Sequence, residues 1–237
     1  MLAGALSGDS ISSIWAMALI SEQVFFMLYH YNSCANTSGA LCETKASFLQ
    51  KLFLTRANSS FPNPLSCFYV HTLRDGVLNT VASWLLVKPV TLVIGWPHSI
   101  FFFLGAGSLS SFVYLFSTQT SRLKPKTTND YACASNGAFA GIATLSLILP
   151  KRYSPLFERT PLALIGALYL IKCTYDEYIK PMHPETHQER NINLRNRGFI
   201  GGVFFALMYS SLFLQTRTDF SMLRIFYKNI KKQQHSS

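Results

Sequence analysis

Six apolar segments divide the chain, and each has about the length of a membrane crossing. They run at about residues 10–31, 73–95, 99–116, 131–149, 160–175 and 198–214. Two windows, Val90–Ser117 and Tyr131–Pro150, contain no Asp, Glu, Lys or Arg. Because the hydrocarbon of a bilayer offers no hydrogen-bond partner to the backbone, roughly 20 apolar residues in a row cross it as a helix. The pattern predicts an all-α, polytopic membrane protein with six transmembrane helices.

Polar segments separate the apolar ones and continue into a basic tail. An amphipathic stretch, Phe220–Ile230, predicts a helix that lies on an anionic membrane surface. We therefore expect one membrane domain over residues 1–215 and a basic amphipathic tail over residues 216–237. Five cations of the tail are expected to face an anionic phospholipid such as cardiolipin, or a partner protein: Arg217, Arg224, Lys228, Lys231 and Lys232.

The composition agrees with a membrane protein. Apolar residues make up 49% of the chain and charged residues 14%, with a net charge of +10. Cations that flank helices near anionic headgroups account for this charge, and the chain has no basic-aromatic array that would indicate nucleic-acid binding. The cysteines show no metal-ligand spacing, so we expect no metal and no cofactor. A disulfide among Cys34, Cys42 and Cys67, and the orientation in the membrane, stay open.

Several polar side chains fall inside or beside the apolar segments, where lipid gives them no partner. They are Glu22, Gln23, Asp75 and the pair Asp176-Glu177. We expect them to find partners within the helix bundle or across an interface with another protein.

Small residues mark places where helices approach closely. Gly137 and Gly141 lie in the fourth segment, and Gly201 and Gly202 lie in the sixth. Since only small side chains let helix backbones come together, these glycines predict close packing of the second, fourth and sixth segments.

The same two segments carry a resemblance to a known family. Cys133-Ala-Ser135-Asn136-Gly137 resembles the Gly-x-Ser-Gly entry of rhomboid intramembrane proteases, in which a serine nucleophile begins the helix. Gly198-Phe199-Ile200-Gly201-Gly202 resembles the rhomboid His-Leu-Gly-Gly helix, and Asn79 stands where the family has an oxyanion-hole asparagine. The resemblance covers roughly residues 11–232 and is closest to the mitochondrial presenilin-associated branch. It implies a six-helix rhomboid-like bundle in the mitochondrial inner membrane.

The chain departs from the rhomboid pattern at the residues that do the chemistry. Ser135 occupies the nucleophile position, but Phe199 stands where the family has the base histidine, and a serine hydroxyl without a base is a poor nucleophile. Asn136 replaces the glycine after the serine, and Asp75 replaces a histidine four residues before Asn79. Loss of one member of a catalytic pair removes most of the rate, because the pair acts as a unit. We therefore expect a vestigial site in which Ser135 caps the helix.

Three functions follow as hypotheses. The first is a catalytically inactive scaffolding subunit of a mitochondrial inner-membrane complex, which holds transmembrane helices of other subunits in a cleft between the second and fifth segments. The alternative is an active rhomboid-type serine protease that uses Ser135 and takes a base from elsewhere, such as His71 or His183. A transporter or channel is the third, and the sequence argues against it, since it shows no inverted repeat and no pair of broken helices in matched positions.

Overall fold

A computed structural model describes residues 8–35, 52–56, 61–70, 73–120, 131–132, 134–149, 161–176 and 198–214. The predicted tail over residues 216–237 lies outside these ranges, and so do its five cations. The histidines proposed as alternative bases, His71 and His183, also lie outside, as do Cys42 and Glu177.

The six apolar segments are helical. The helices are α1 Gly8–Ala35, α2 Leu73–Ile94, α3 Trp96–Thr120, α4 Ser135–Ile148, α5 Leu162–Thr174 and α6 Phe199–Leu214. Three stretches, in α1, α2 and α3, are long and apolar enough to cross a membrane. The helices α4 and α5 have 14 and 13 residues, which is less than the ~17–25 residues of an ordinary crossing. A membrane crossing by all six helices therefore stays a prediction.

One short strand pairing interrupts the helical architecture of the described residues. Strand β1, Thr55–Arg56, pairs antiparallel with β2, Tyr131–Ala132, so that Thr55 lies opposite Ala132. The sequence placed Tyr131 at the start of the fourth helix, and this boundary is wrong. The helix begins at Ser135 because the residues before it pair with the first loop instead.

Helix α2 is irregular in its middle. It is α-helical over Leu73–Ala82, widens into a π-helical turn over Ser83–Val87 and becomes α-helical again over Lys88–Ile94. Pro89 lies in the first turn of the last piece, where its missing N–H does least harm to the hydrogen bonding of a helix. The helix ends at Gly95, whose φ of 87° favours glycine.

Helix α4 forms the centre of the bundle. Every residue from Ser135 to Ser146 is buried. The helix packs most extensively against α6 and α5, then against α3, while α1 packs on the outer side of α2 and α3. Phe139 of α4 meets Phe103 of α3 edge-to-face, with ring centroids 5.3 Å apart. The core of the described residues is therefore built around α4, which is rich in small and apolar side chains.

The end of the first loop folds into the bundle. A 3-10 turn, Pro64–Cys67, packs against α3, and Ser66 shares a hydrogen bond of 2.7 Å with Ser111. The backbone N–H of Ala134 donates to the Ser66 carbonyl at 3.1 Å, which ties the turn to the start of α4. The Cys67 thiol is buried and donates to the Pro64 carbonyl at 3.0 Å.

Candidate functional site

Four helix ends converge at one end of the bundle: the starts of α2, α4 and α6 and the end of α5. A crevice lies there, with a cavity volume of about 10 Å³, which is about the space of one water molecule. It is lined by Asn136, Lys172, Cys173, Asp176 and Phe199. The structure thus brings together two residues of the predicted vestigial site, Asn136 and Phe199, with a charged pair on α5.

Ser135 is the first helical residue of α4 and is 1% exposed, so its side chain lies inside the protein. The N-cap position belongs to Ala134, which makes no side-chain cap bond. Ser135 therefore lies one residue inside the helix, and a cap made by its hydroxyl stays a prediction. Asn136, the next residue, is also buried and faces the crevice.

The side-chain amide of Asn79 connects three helices. It is completely buried, and its Oδ1 accepts a hydrogen bond of 2.7 Å from the Tyr169 hydroxyl of α5. Its Nδ2 donates to Oδ1 of Asn136 on α4 at 3.4 Å. The residue predicted as a vestigial oxyanion donor is thus held on both sides by protein groups.

Three ion pairs continue this polar connection along α2 and α5. The Lys172 ammonium lies 2.7 Å from Oδ1 of Asp75 and 3.2 Å from Oδ2 of Asp176. Arg74 approaches Oδ1 of Asp176 at 3.3 Å. The Lys172 ammonium also lies 5.9 Å from the centre of the Tyr169 ring, a cation–π distance. We call this set of residues the polar seam: Arg74, Asp75, Asn79, Tyr169, Lys172 and Asp176.

The polar seam lies between α2 and α5, where the sequence predicted a cleft between the second and fifth segments. Helix α5 approaches the backbone of α2 most closely along Ser83–Val87. Nearer the start of α2, the long side chains of the seam join the two helices. At this end of the bundle, side chains of the seam therefore bridge α2 and α5.

The predicted helix-packing glycines lie where three helices meet. A Cβ on Gly202 of α6 would overlap the carbonyl oxygen of Gly137 on α4. A Cβ on Gly201 would overlap the backbone of α3 at Leu109, and one on Gly137 would overlap the Ser110 side chain. From the sequence, α2 was predicted to be the third helix in this contact. The atoms around these glycines belong to α3, α4 and α6, so that assignment is wrong.

Gly141 completes this packing one turn further along α4. A Cβ on Gly141 would meet the Ala106 side chain at 3.0 Å, the Gly202 carbonyl at 3.1 Å and the Phe102 ring at 3.2 Å. These distances are tight but leave room for small adjustments, in contrast to the overlap at Gly202.

The polar pair on α1 lies away from the seam. Gln23 is fully buried, and its side-chain amide donates to Glu22 at 2.5 Å and to the Phe68 carbonyl at 3.5 Å. The polar groups predicted to need partners therefore divide into two places, with Glu22 and Gln23 beside the first loop and Asp75 and Asp176 in the seam.

Sequence reasoning did not single out Lys172 and Tyr169. A signal was present, since a lysine inside an otherwise apolar helix indicates a function or a buried partner. Spacing offered a second signal, because Asp75 and Asn79 are four residues apart and so share one face of α2. Tyr169 and Lys172, three residues apart, share a face of α5 in the same way.

Comparison of the chain with protein-family models, with curated proteins and with solved structures gives no match. The likeness to rhomboid proteins therefore rests on the motifs around Asn79, Ser135 and Gly201. A function for this end of the bundle has to be inferred from its own chemistry.

Proposed function

We propose that the chain is a catalytically inactive, rhomboid-like protein with six transmembrane helices in the mitochondrial inner membrane. Its function is that of a structural or scaffolding subunit, which binds transmembrane helices of other subunits in a membrane complex. The observation that carries the proposal is the double engagement of Asn79, whose amide is bound to Tyr169 and to Asn136.

The chemistry of the crevice supports an inactive site. Serine proteolysis needs a base beside the nucleophile and donors aimed at the developing oxyanion. Phe199, at the position of the base, has no lone pair to accept a proton. The Lys172 ammonium is directed at two carboxylates, Asp75 and Asp176, rather than towards α4. The donor that an oxyanion would require, Asn79, already serves the packing of α2 against α4 and α5.

The outer surface of the bundle supports a binding role. Large apolar side chains on several helices are about half exposed within this single chain: Phe25, Val81, Leu168, Ile171 and Phe204. In a membrane such surfaces meet either lipid or the helices of other subunits, and helix–helix packing there depends on shape and on polar groups. Arg74 of the seam, whose side chain is 57% exposed, supplies a polar group at this surface.

Extraction in a mild detergent followed by native electrophoresis tests the scaffolding role. We expect the full chain to migrate in an assembly larger than itself, with the same partners in constant ratio by mass spectrometry. Ser135→Ala is the matched control, because it removes the vestigial nucleophile and leaves the outer surface unchanged. It should migrate with the same partners. Migration of the wild-type chain alone would contradict the proposal.

A fluorophosphonate probe tests the alternative, an active serine protease that takes its base from outside the crevice. We expect no difference in labelling between the wild-type chain and Ser135→Ala. Labelling that depends on Ser135, or cleavage of a transmembrane substrate by the wild-type chain, would establish the protease instead.

A further inference from the structure

The members of the polar seam differ in exposure. The side chains of Asp75, Asp176 and Lys172 are 13%, 10% and 14% exposed. The side chain of Arg74, which also approaches Asp176, is 57% exposed. Asp176 therefore faces one buried cation and one cation at the outer surface.

The ion pair between Arg74 and Asp176 is longer than the one between Lys172 and Asp75. The two side chains approach at 3.3 Å, whereas Lys172 and Asp75 approach at 2.7 Å. Oδ1 of Asp176 is buried and, in the described part of the chain, accepts no hydrogen bond. A buried carboxylate oxygen without a hydrogen bond is unfavourable, so Asp176 keeps an unmet capacity for a cationic donor.

The surface beside Asp176 is apolar. Leu168 and Ile171 of α5 are 58% and 63% exposed, and Val81 of α2 is 48% exposed. An anionic group at one end of an apolar helix surface is complementary to a helix with an apolar body and a cation near its end. Such a cation interacts strongly with Asp176, because both charges are shielded from water.

We propose that Asp176 is the docking site for a basic side chain, Lys or Arg, near the end of a partner's transmembrane helix. The basic side chain displaces Arg74 from Asp176, and the apolar body of the partner helix lies along Val81 and Leu168. Arginine fits best, since its planar group donates two parallel hydrogen bonds to one carboxylate. This inference rests on the scaffolding function and names the chemistry of the partner.

Photo-crosslinking in the native membrane tests the site. The photoreactive residue p-benzoylphenylalanine replaces Val81 or Leu168 in the full chain, and Phe112 of α3, which is 52% exposed, serves as the control position. We expect the Val81 and Leu168 positions to capture one transmembrane peptide that carries Lys or Arg near one end. The Phe112 position should not capture that peptide.

Charge variants separate a specific site from a chance neighbour. Asp176→Asn should lower capture at Leu168 by about tenfold or more, as expected when one member of a buried interfacial charge pair is lost. Arg74→Ala should raise capture, because it removes the competing cation. If Asp176→Asn lowers the level of the protein, a reversal of the charges on both partners tests the pair instead. Asp176→Lys should abolish capture, and substitution of the basic residue in the captured peptide by Glu should restore it.

Several outcomes would overturn the inference. They are capture of lipid alone, capture of a segment without a basic residue, and capture that is unchanged in Asp176→Asn. A native assembly whose crosslinks arise only from other faces would also overturn it and leave the scaffolding function standing. Failure to find any assembly by native electrophoresis would instead remove the scaffolding function.

Discussion

The Lys172 ammonium donates to the carboxylate of Asp75 at 2.7 Å and thereby joins α5 to a residue 97 positions earlier, in the first turn of α2. Both side chains are largely buried, at 14% and 13% exposure. A lysine in an apolar helix is tolerated here because it meets two carboxylates within the same chain. The pair therefore ties the start of α2 to the last turn of α5.

Removal of one partner of this pair should destabilise the protein, because it leaves an uncompensated buried charge. We expect Lys172→Met to cost about 3 kcal/mol of unfolding free energy in mixed micelles. Arg74→Ala, which removes an exposed cation, should cost less than about 1 kcal/mol.

The double variant Asp75→Leu with Lys172→Met tests the pairing itself. It should recover at least half of the loss, since an apolar pair of similar volume replaces a buried ion pair with little penalty. Additive losses in the double variant would show that the two residues act independently.

The contact between α4 and α6 depends on Gly202. We expect Gly202→Ala to cost at least about 1–3 kcal/mol, because its Cβ meets the backbone of Gly137, which cannot move aside. Gly105→Ala is the control, since its Cβ meets the ring of Phe205, the movable end of a side chain. Unfolding of both variants in the same micelles measures the difference. Equal losses would mean that α6 shifts freely away from α4.

A substitution at Gly95 tests the effect of backbone strain separately from steric crowding. A Cβ at this position has open space, with Cδ of Pro97 at 4.0 Å, but the φ of 87° is unfavourable for other residues. We expect Gly95→Ala to cost about 1–2 kcal/mol through the backbone alone. A neutral substitution would indicate that the corner between α2 and α3 adopts another conformation.

A single histidine should not restore proteolysis. We expect Phe199→His to leave a candidate transmembrane substrate uncleaved, because Asn79 remains bound to Tyr169 and Asn136. An oxyanion donor out of place loses most of its effect. Phe199→His with Asn136→Gly is the sharper variant, since it also frees Nδ2 of Asn79, the group that would donate to an oxyanion. Cleavage by Phe199→His alone would mean that the oxyanion site is intact.

The basic tail gives a separate prediction, which lies outside the described residues. Deletion from Phe220 onward should loosen the protein from its complex and leave the helical core in the membrane, because the apolar side chains and cations of the tail anchor it to lipid or protein. Co-purification of the truncated chain with its partners, compared with the full chain under the same salt, measures the effect. Equal recovery of the partners would contradict an anchoring role.

The positions of the helices could be predicted from the sequence because apolar character is local. The free energy of transferring a segment from water depends on the side chains of that segment, so each segment can be assigned without knowledge of its neighbours. All six are helical in the structure. The same locality explains the error at Tyr131, where the pairing of Tyr131–Ala132 with the distant strand Thr55–Arg56 makes the fourth helix begin later than predicted. The glycines on α4 and α6 also predicted close packing of the helices. Glycine inside a helix lowers its stability, so its presence there indicates that another backbone comes close.

The partners of those glycines and of the seam residues were decided by the tertiary structure alone. Asp75 was expected to find a partner within the bundle or across an interface with another protein, and it pairs with Lys172 of α5. Asn79 was predicted as a vestigial oxyanion-hole residue from the rhomboid resemblance, and it bridges Tyr169 and Asn136. Helix α3, not α2, meets Gly201. Spacing along a helix determines which side chains share a face, but the partner of that face is set by how helices far apart in sequence pack together.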